Sequence, residues 1–167
     1  MTATVGREGA MSGDGRTGEA SVVIAAEPEV LWAMVTDLPR MGEWSPENKG
    51  GEWVGDATGP AVGARFKGRN QRGKSRWSTT VTITEAEPGR SFAFRASGKP
   101  ATVWRYGFEP AEGGTRVTES FAMDKPLGAL NRLITKVTTG VDDRRADMEE
   151  GVRTTLANLK AAAEKSA

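Results

Sequence analysis

The sequence predicts an α+β fold, a seven-stranded curved antiparallel sheet wrapped around a long C-terminal helix, with two short helices after strand 1. Three observations carry this expectation. A short apolar run near the N-terminus is followed at once by helix-start signals. The middle of the chain is a succession of alternating segments parted by turn residues, and from Leu127 the periodicity becomes helical.

Val22, Val23 and Ile24 mark the first strand, within Glu19–Ala25. Glu27-Pro28-Glu29 opens a helix, because proline is tolerated in a first turn and a carboxylate there suits the helix dipole. Leu31, Met34, Val35 and Leu38 recur as one buried stripe, and Pro39 ends it. A second short helix or turn runs from Arg40 to Trp44. Strands then fall near Glu52–Val54, Ala64–Asn70, Arg76–Glu85, Ser91–Ala96, Thr102–Glu109 and Thr115–Met123. Breakers such as Gly59-Pro60, Arg72-Gly73-Lys74 and Glu87-Pro88-Gly89 separate them, and connections this short imply an antiparallel meander. Leu127, Leu130, Ile134, Val137 and Val141 begin the helical stripe, and Met148, Val152, Leu156 and Leu159 continue it past Gly140 and Gly151, where it can bend. A half-buried sheet and one amphipathic helix bury each other's apolar faces. Residues 1–18, rich in Gly, Thr, Ser and Ala and lacking an apolar core, are expected to be a disordered tail rather than a signal peptide, and residues 19–165 a single domain.

Composition narrows the chemistry. A chain of 167 residues with 37% hydrophobic and 27% charged residues is that of one globular domain. Lys plus Arg (23) and Asp plus Glu (22) nearly cancel, so net charge gives no case for nucleic acid. There is no Cys and no His, which removes thiolate nucleophiles, Ser-His and Cys-His couples and the usual zinc ligands. No metal and no cofactor is expected, and no dinucleotide or phosphate-loop motif is present. No apolar run reaches the roughly 20 residues of a membrane span, and a cytoplasmic location is expected.

The order of these elements resembles the START-like or SRPBCC superfamily, the helix-grip fold, and within it the polyketide cyclase/dehydrase-like branch. The likeness rests on Pro28-Glu29-Val30-Leu31-Trp32, Asp37-Leu38, Glu43-Trp44-Ser45-Pro46, Phe66-x-Gly68-x-Asn70, Pro88-Gly89-x-x-Phe92, Trp104-x-Tyr106 and Gly114-Thr115-x-Val117-Thr118-Glu119. It spans about Glu19 to Lys165 and implies a cavity for a hydrophobic ligand between sheet and helix. The superfamily binds or transforms many such ligands, so the likeness does not choose among them.

Strand alternation assigns the inward face. Phe66 and Asn70 point inward against Arg65, Lys67 and Arg69, and Trp77 and Thr79 against Ser78 and Thr80. Phe92 and Phe94, then Trp104, Tyr106 and Phe108, face the same way. Met148 and Val152 of the helix complete the expected ligand contacts, and the resemblance adds Trp44 at the cavity mouth. Asn70, Thr79, Tyr106 and Glu119 thus form a polar spot on an apolar surface, the usual composition of a small-molecule site. An inward Glu119 in low dielectric would have a raised pKa and serve as an acid or base; alternatively it lies at a strand end and reaches solvent or an Arg. Tyr106 is read either as its catalytic companion or as a core ring with a satisfied hydroxyl.

From Ala57 to Thr84 there is no acidic residue, while Arg65, Lys67, Arg69, Arg72 and Lys74 offer a face for an acidic partner. Aromatic rings are not interleaved on that face, so nucleic acid is not expected. Three functions follow: binding of a small hydrophobic molecule that is polyketide-, lipid- or aromatic-like; a cyclase, aromatase or dehydratase working by carboxylate and phenol acid–base chemistry; or an interaction protein using the basic hairpin 65–76.

Overall fold

The computed structural model describes residues 16–126, 128–140 and 143–166. Residues 1–15 of the expected tail, with Leu127 and Val141 of the expected stripe, lie outside the described residues. The strands are β1 (Thr17–Ile24), β2 (Asn48–Trp53), β3 (Arg65–Arg72), β4 (Ser75–Glu87), β5 (Ser91–Ala96), β6 (Thr102–Ala111) and β7 (Gly114–Met123). The helices are α1 (Pro28–Thr36), α2 (Ala129–Thr139) and α3 (Arg144–Lys165), and a 3₁₀ turn, Leu38–Glu43, follows α1. All seven strands form one antiparallel sheet in the order β1-β7-β6-β5-β4-β3-β2, so the meander from β2 to β7 ends beside the first strand.

Alternation holds along the strands that build the core. Val117, Glu119 and Phe121 of β7 are buried, while Arg116 is exposed. Phe66 is buried between the exposed Arg65 and Lys67. The pairing of β4 with β5 shifts register between Ile83 and Glu85, a bulge that bends the long strand.

β1 begins at Thr17, so the ordered sheet takes in Thr17 and Gly18 of the expected tail. They pair with Ala122 and Phe121, and Gly18 belongs there because a Cβ would lie 2.7 Å from the Phe121 ring. α3 buries Met148, Val152, Thr155, Leu156, Leu159 and Ala163 against the sheet. Full burial of a side chain the size of Leu159 contributes about 1.5–3 kcal/mol. Polar bonds register this helix on β1: Arg145 Nε donates to Thr17 O (3.2 Å) and Lys160 Nζ to Val23 O (2.7 Å).

The long C-terminal helix expected from the sequence is α3, but the helical stretch before it, read as the start of the same stripe, is a separate helix, α2. Gly140, at φ 73°, caps α2 in the left-handed conformation that glycine adopts without penalty. Asp143 then starts α3 by accepting from Arg145 N and Ala146 N. A stop signal and a start signal three residues apart override the continuous apolar pattern. As a result Leu130, Ile134 and Val137 do not join the core but stand 69%, 50% and 78% exposed.

Candidate functional site

A cavity of about 300 Å³ lies between the sheet and the N-terminal half of α3. Phe66, Trp77, Val81, Phe94 and Trp104 line it from the strands, and Met148, Gly151 and Thr155 from the helix. Met148, Gly151 and Thr155 share one helical face, and Gly151 leaves its part of the wall open, since a Cβ there would meet no atom within 4 Å. Trp104 is braced from behind by Phe121, ring centroids 5.5 Å apart and tilted by 47°.

Glu119 and Tyr106 both line this cavity and face each other across the β6–β7 pair. Glu119 is 4% exposed, and its Oε1 accepts from the Tyr106 hydroxyl at 2.8 Å. Its Oε2 is buried and has no hydrogen-bond partner among the described residues. Of the two readings of Glu119, the structure therefore excludes the strand-end carboxylate that reaches solvent or an Arg. Burial pushes its pKa up to about 8, against the smaller downward pull of the Tyr106 hydrogen bond. At neutral pH the carboxyl is then mostly protonated. With Oε1 accepting from Tyr106, the proton sits on Oε2. Tyr106 is itself pushed well above its ordinary value, by burial first and by the neighbouring Glu119 second, so it stays a phenol and acts as a donor.

Asn70 and Thr79 form a second polar strip on the wall. Asn48 Nδ2 donates to Asn70 Oδ1 (3.4 Å), and Asn70 Nδ2 donates to Thr79 Oγ1 (3.2 Å). Asn70 therefore ties β2 to β4 across β3, and the Thr79 hydroxyl, an acceptor in that bond, keeps its own proton to donate. The chain approaches closely here: a Cβ at Gly68 would lie 3.1 Å from Asn48 Nδ2.

The rim is charged. Arg144 grips both carboxylate oxygens of Glu47 (3.0 Å each) and also Asp147 (2.9 Å), while Arg72 pairs with Asp147 from the other side. Burial works against the charged Arg144, but its hydrogen bonds to Glu47 and Asp147 and their charges outweigh it and raise its pKa. Sequence reasoning missed this cluster: Glu47 and Arg144 stand 97 residues apart, and no local pattern links them.

Not every expected contact reaches the cavity. Trp44 is 1% exposed inside the core rather than at the mouth, held by Asn158 Nδ2 on its carbonyl (2.9 Å) and by the Arg40 guanidinium 6.0 Å from its ring. Phe92, Phe108 and Val152 face inward but are packed beneath the wall, among the core side chains. Arg72 turns to Asp147 at the rim, which removes it from the outward basic face, whereas Arg65, Lys67, Arg69 and Lys74 remain exposed. Among the described residues no cluster of acidic side chains is suited to hold a metal ion.

Comparison with known proteins agrees with this architecture. Residues 16–164 match the family described as polyketide cyclase / dehydrase and lipid transport. A polyketide-cyclase-like protein of Corynebacterium glutamicum is 34% identical, with 89% of this chain and 91% of that one aligned at a TM-score of 0.60. A protein of Nitrosomonas europaea shares the fold at 13% identity and a TM-score of 0.68, over 92% of this chain and 97% of its own. The di-domain ARO/CYC StfQ from the steffimycin biosynthetic pathway does so at 16% identity and a TM-score of 0.71. In that case 90% of this chain matches 51% of the longer one. No curated protein matches the sequence.

Proposed function

The chain belongs to the polyketide cyclase / dehydrase and lipid transport family, and from that premise we propose that it binds a small, largely apolar molecule bearing a carbonyl or similar oxygen acceptor. The observation that carries this reading is the buried Oε2 of Glu119, a carboxyl oxygen without a partner among the described residues, beside the aromatic part of the cavity wall; its raised pKa leaves it a proton to donate. An unsatisfied buried donor is costly, and a ligand oxygen accepting from it removes that cost. Aromatic walls formed by Trp77, Phe94 and Trp104 suit a flat ring system, and 300 Å³ is at the small end of ligand-binding cavities.

A pair of probes of one shape tests the reading: 2-acetylnaphthalene, which has the acceptor, and 2-ethylnaphthalene, which does not. Quenching of Trp77 and Trp104 emission reports binding. The ketone is expected to bind about fivefold more tightly, the worth of one hydrogen bond. Glu119→Leu should abolish that preference while retaining the hydrocarbon. Equal affinities in the unaltered protein would overturn the assignment of Glu119 as the ligand's donor.

A second reading, acid catalysis on a polyketide-like carbonyl compound, is favoured by the same carboxyl. A group with a pKa of about 8 gives up its proton near neutral pH far more readily than a phenol does. Glu119 would pass its Oε2 proton to the ligand's carbonyl oxygen and remain as a carboxylate held by Tyr106. Glu119→Gln keeps shape and donor but lacks the acid, so loss of turnover with retained binding would select this reading over simple carriage.

A further inference from the structure

The polar side chains of the cavity wall fall into two groups, one at each end of an apolar stretch. The strand registers set out four successive rows on the concave face of the sheet. Tyr106 and Glu119 face each other in the first, Phe94 and Trp104 in the second, and Val81 and Ala96 in the third. Thr79 stands in the fourth, and all seven line the cavity. Rows are about 7 Å apart along the strands, and β5 and β6 separate β4 from β7. Thr79 pairs with Gly68 on β3, from which Asn70 and Arg72 follow on the same side toward the charged rim. The Thr79 row is therefore the one next to the rim, and the Glu119 row is the inner end.

The direction of the hydrogen bonds at Thr79 is set by the backbone. Gly50 N donates to Asn48 Oδ1 (2.7 Å), which leaves the Asn48 amide nitrogen to donate to Asn70 Oδ1 (3.4 Å). The Asn70 nitrogen then faces Thr79 and donates to its Oγ1 (3.2 Å). Turning over either amide would set two donors against each other, so the chain runs one way only. Thr79 ends it as an acceptor, and no acceptor for its own proton is found among the described residues. The side chain is only partly buried in the wall, which leaves that proton within reach of a bound molecule.

We propose that Thr79 is a second donor to the ligand, and that the ligand is an elongated apolar molecule with an oxygen acceptor at each end. Glu119 takes the oxygen at the inner end, and Thr79 takes the one beside the rim. This rests on the reading of Glu119 as the ligand's donor. Laid flat, the first and fourth rows would stand about 20 Å apart along the strands, and the curve of the sheet brings them closer. The two oxygens are thus about 15–20 Å apart, with Phe94, Trp104, Val81 and Ala96 covering the body between them. A short ketone meets one donor and leaves the other idle. The pair therefore selects for length as well as for polarity.

The test extends 2-acetylnaphthalene at C6 by saturated arms of about four to ten carbons, each ending in a methyl ketone or in the matching hydrocarbon. Tryptophan quenching in the full chain reports binding. The arm ketone is expected to tighten binding about fivefold at one or two neighbouring arm lengths and at no others. That gain is read in the unaltered protein, so it does not depend on the folding of a variant. Thr79→Val keeps the shape and loses the hydroxyl; it should remove the gain while the acetyl group keeps its advantage over ethyl. Thr79→Ser should restore the gain. Glu119→Leu should do the converse, abolishing the acetyl preference and leaving that of the arm. No gain at any arm length, or a gain that survives Thr79→Val, would overturn the proposal, and a persisting acetyl preference would then leave the reading of Glu119 standing. Absence of both preferences, or of binding by every probe, would overturn the two together.

Discussion

The two ends of the cavity treat carboxyl groups in opposite ways. At the rim, Glu47 and Asp147 meet two guanidinium groups, those of Arg144 and Arg72. At the inner polar spot, Glu119 meets only a phenol. Both sets line the same space, yet the first forms a charged clasp between α3, β3 and the turn before β2, while the second stays mostly protonated at neutral pH. Glu119 is raised chiefly by its burial, and no cation lies beside it to offset that, whereas the rim carboxylates have guanidinium partners. The pairing separates two tasks: the rim holds elements together, and the interior keeps one proton available.

The contrast can be broken at its inner end first. An acid whose folded pKa exceeds its unfolded one binds more protons in the folded state, so stability is full below the unfolded value and falls as pH rises toward the folded value. For Glu119 that window runs from 4.5 to about 8. Urea denaturation across it should show the unaltered protein losing about 5 kcal/mol relative to Glu119→Gln, with the difference level above the window. A flat difference would mean that Glu119 is ionised in the folded protein throughout.

At the rim, Arg144→Met removes the central cation and leaves Glu47 and Asp147 facing each other. A loss of about 2 kcal/mol is expected, almost independent of pH above the carboxylate range. Tyr106→Phe should cost about 1 kcal/mol, and because the Tyr106 hydroxyl pulls the pKa of Glu119 down, its removal should move the end of the stability window to higher pH. The smallest effect is expected at Gly151. Gly151→Ala should stabilise α3 by about 0.5–1 kcal/mol through helix propensity, while its methyl group enters the cavity and weakens binding of 2-acetylnaphthalene. Unchanged binding would remove that part of the wall from the ligand's path.

Much of the fold was legible because its signals are local. Turn residues bounded the strands, and alternation put Phe66, Trp77, Thr79, Phe94, Trp104, Tyr106 and Glu119 on the side where the cavity lies. A period of two reports side but not depth. Phe92 and Phe94 share a face, yet Phe92 is sealed in the core and Phe94 reaches the cavity. The helix shows the same limit: Met148 lines the cavity, whereas Val152, one turn on, lies under it, and the wall continues through Gly151 and Thr155. Trp44 is assigned to the mouth by resemblance alone, which says nothing of the contact with α3 that encloses it. The rim clasp joins residues too distant in sequence for any periodicity to reveal.

The clasp of α3 on β1 also sets the order in which the chain can fold. Arg145 reaches Thr17 over 128 residues and Lys160 reaches Val23 over 137, and β1 completes the sheet only by pairing with β7. While the protein is being synthesised, β1 must therefore wait for nearly everything that follows it. The meander from β2 to β7 can assemble from neighbouring hairpins, but β7's outer edge stays unpaired until β1 arrives, and β1 itself has no helix to hold it until α3 is made. A ribosome-bound chain would carry β1 without its partner for longest, which makes β1 the strand most in need of protection by a chaperone before release.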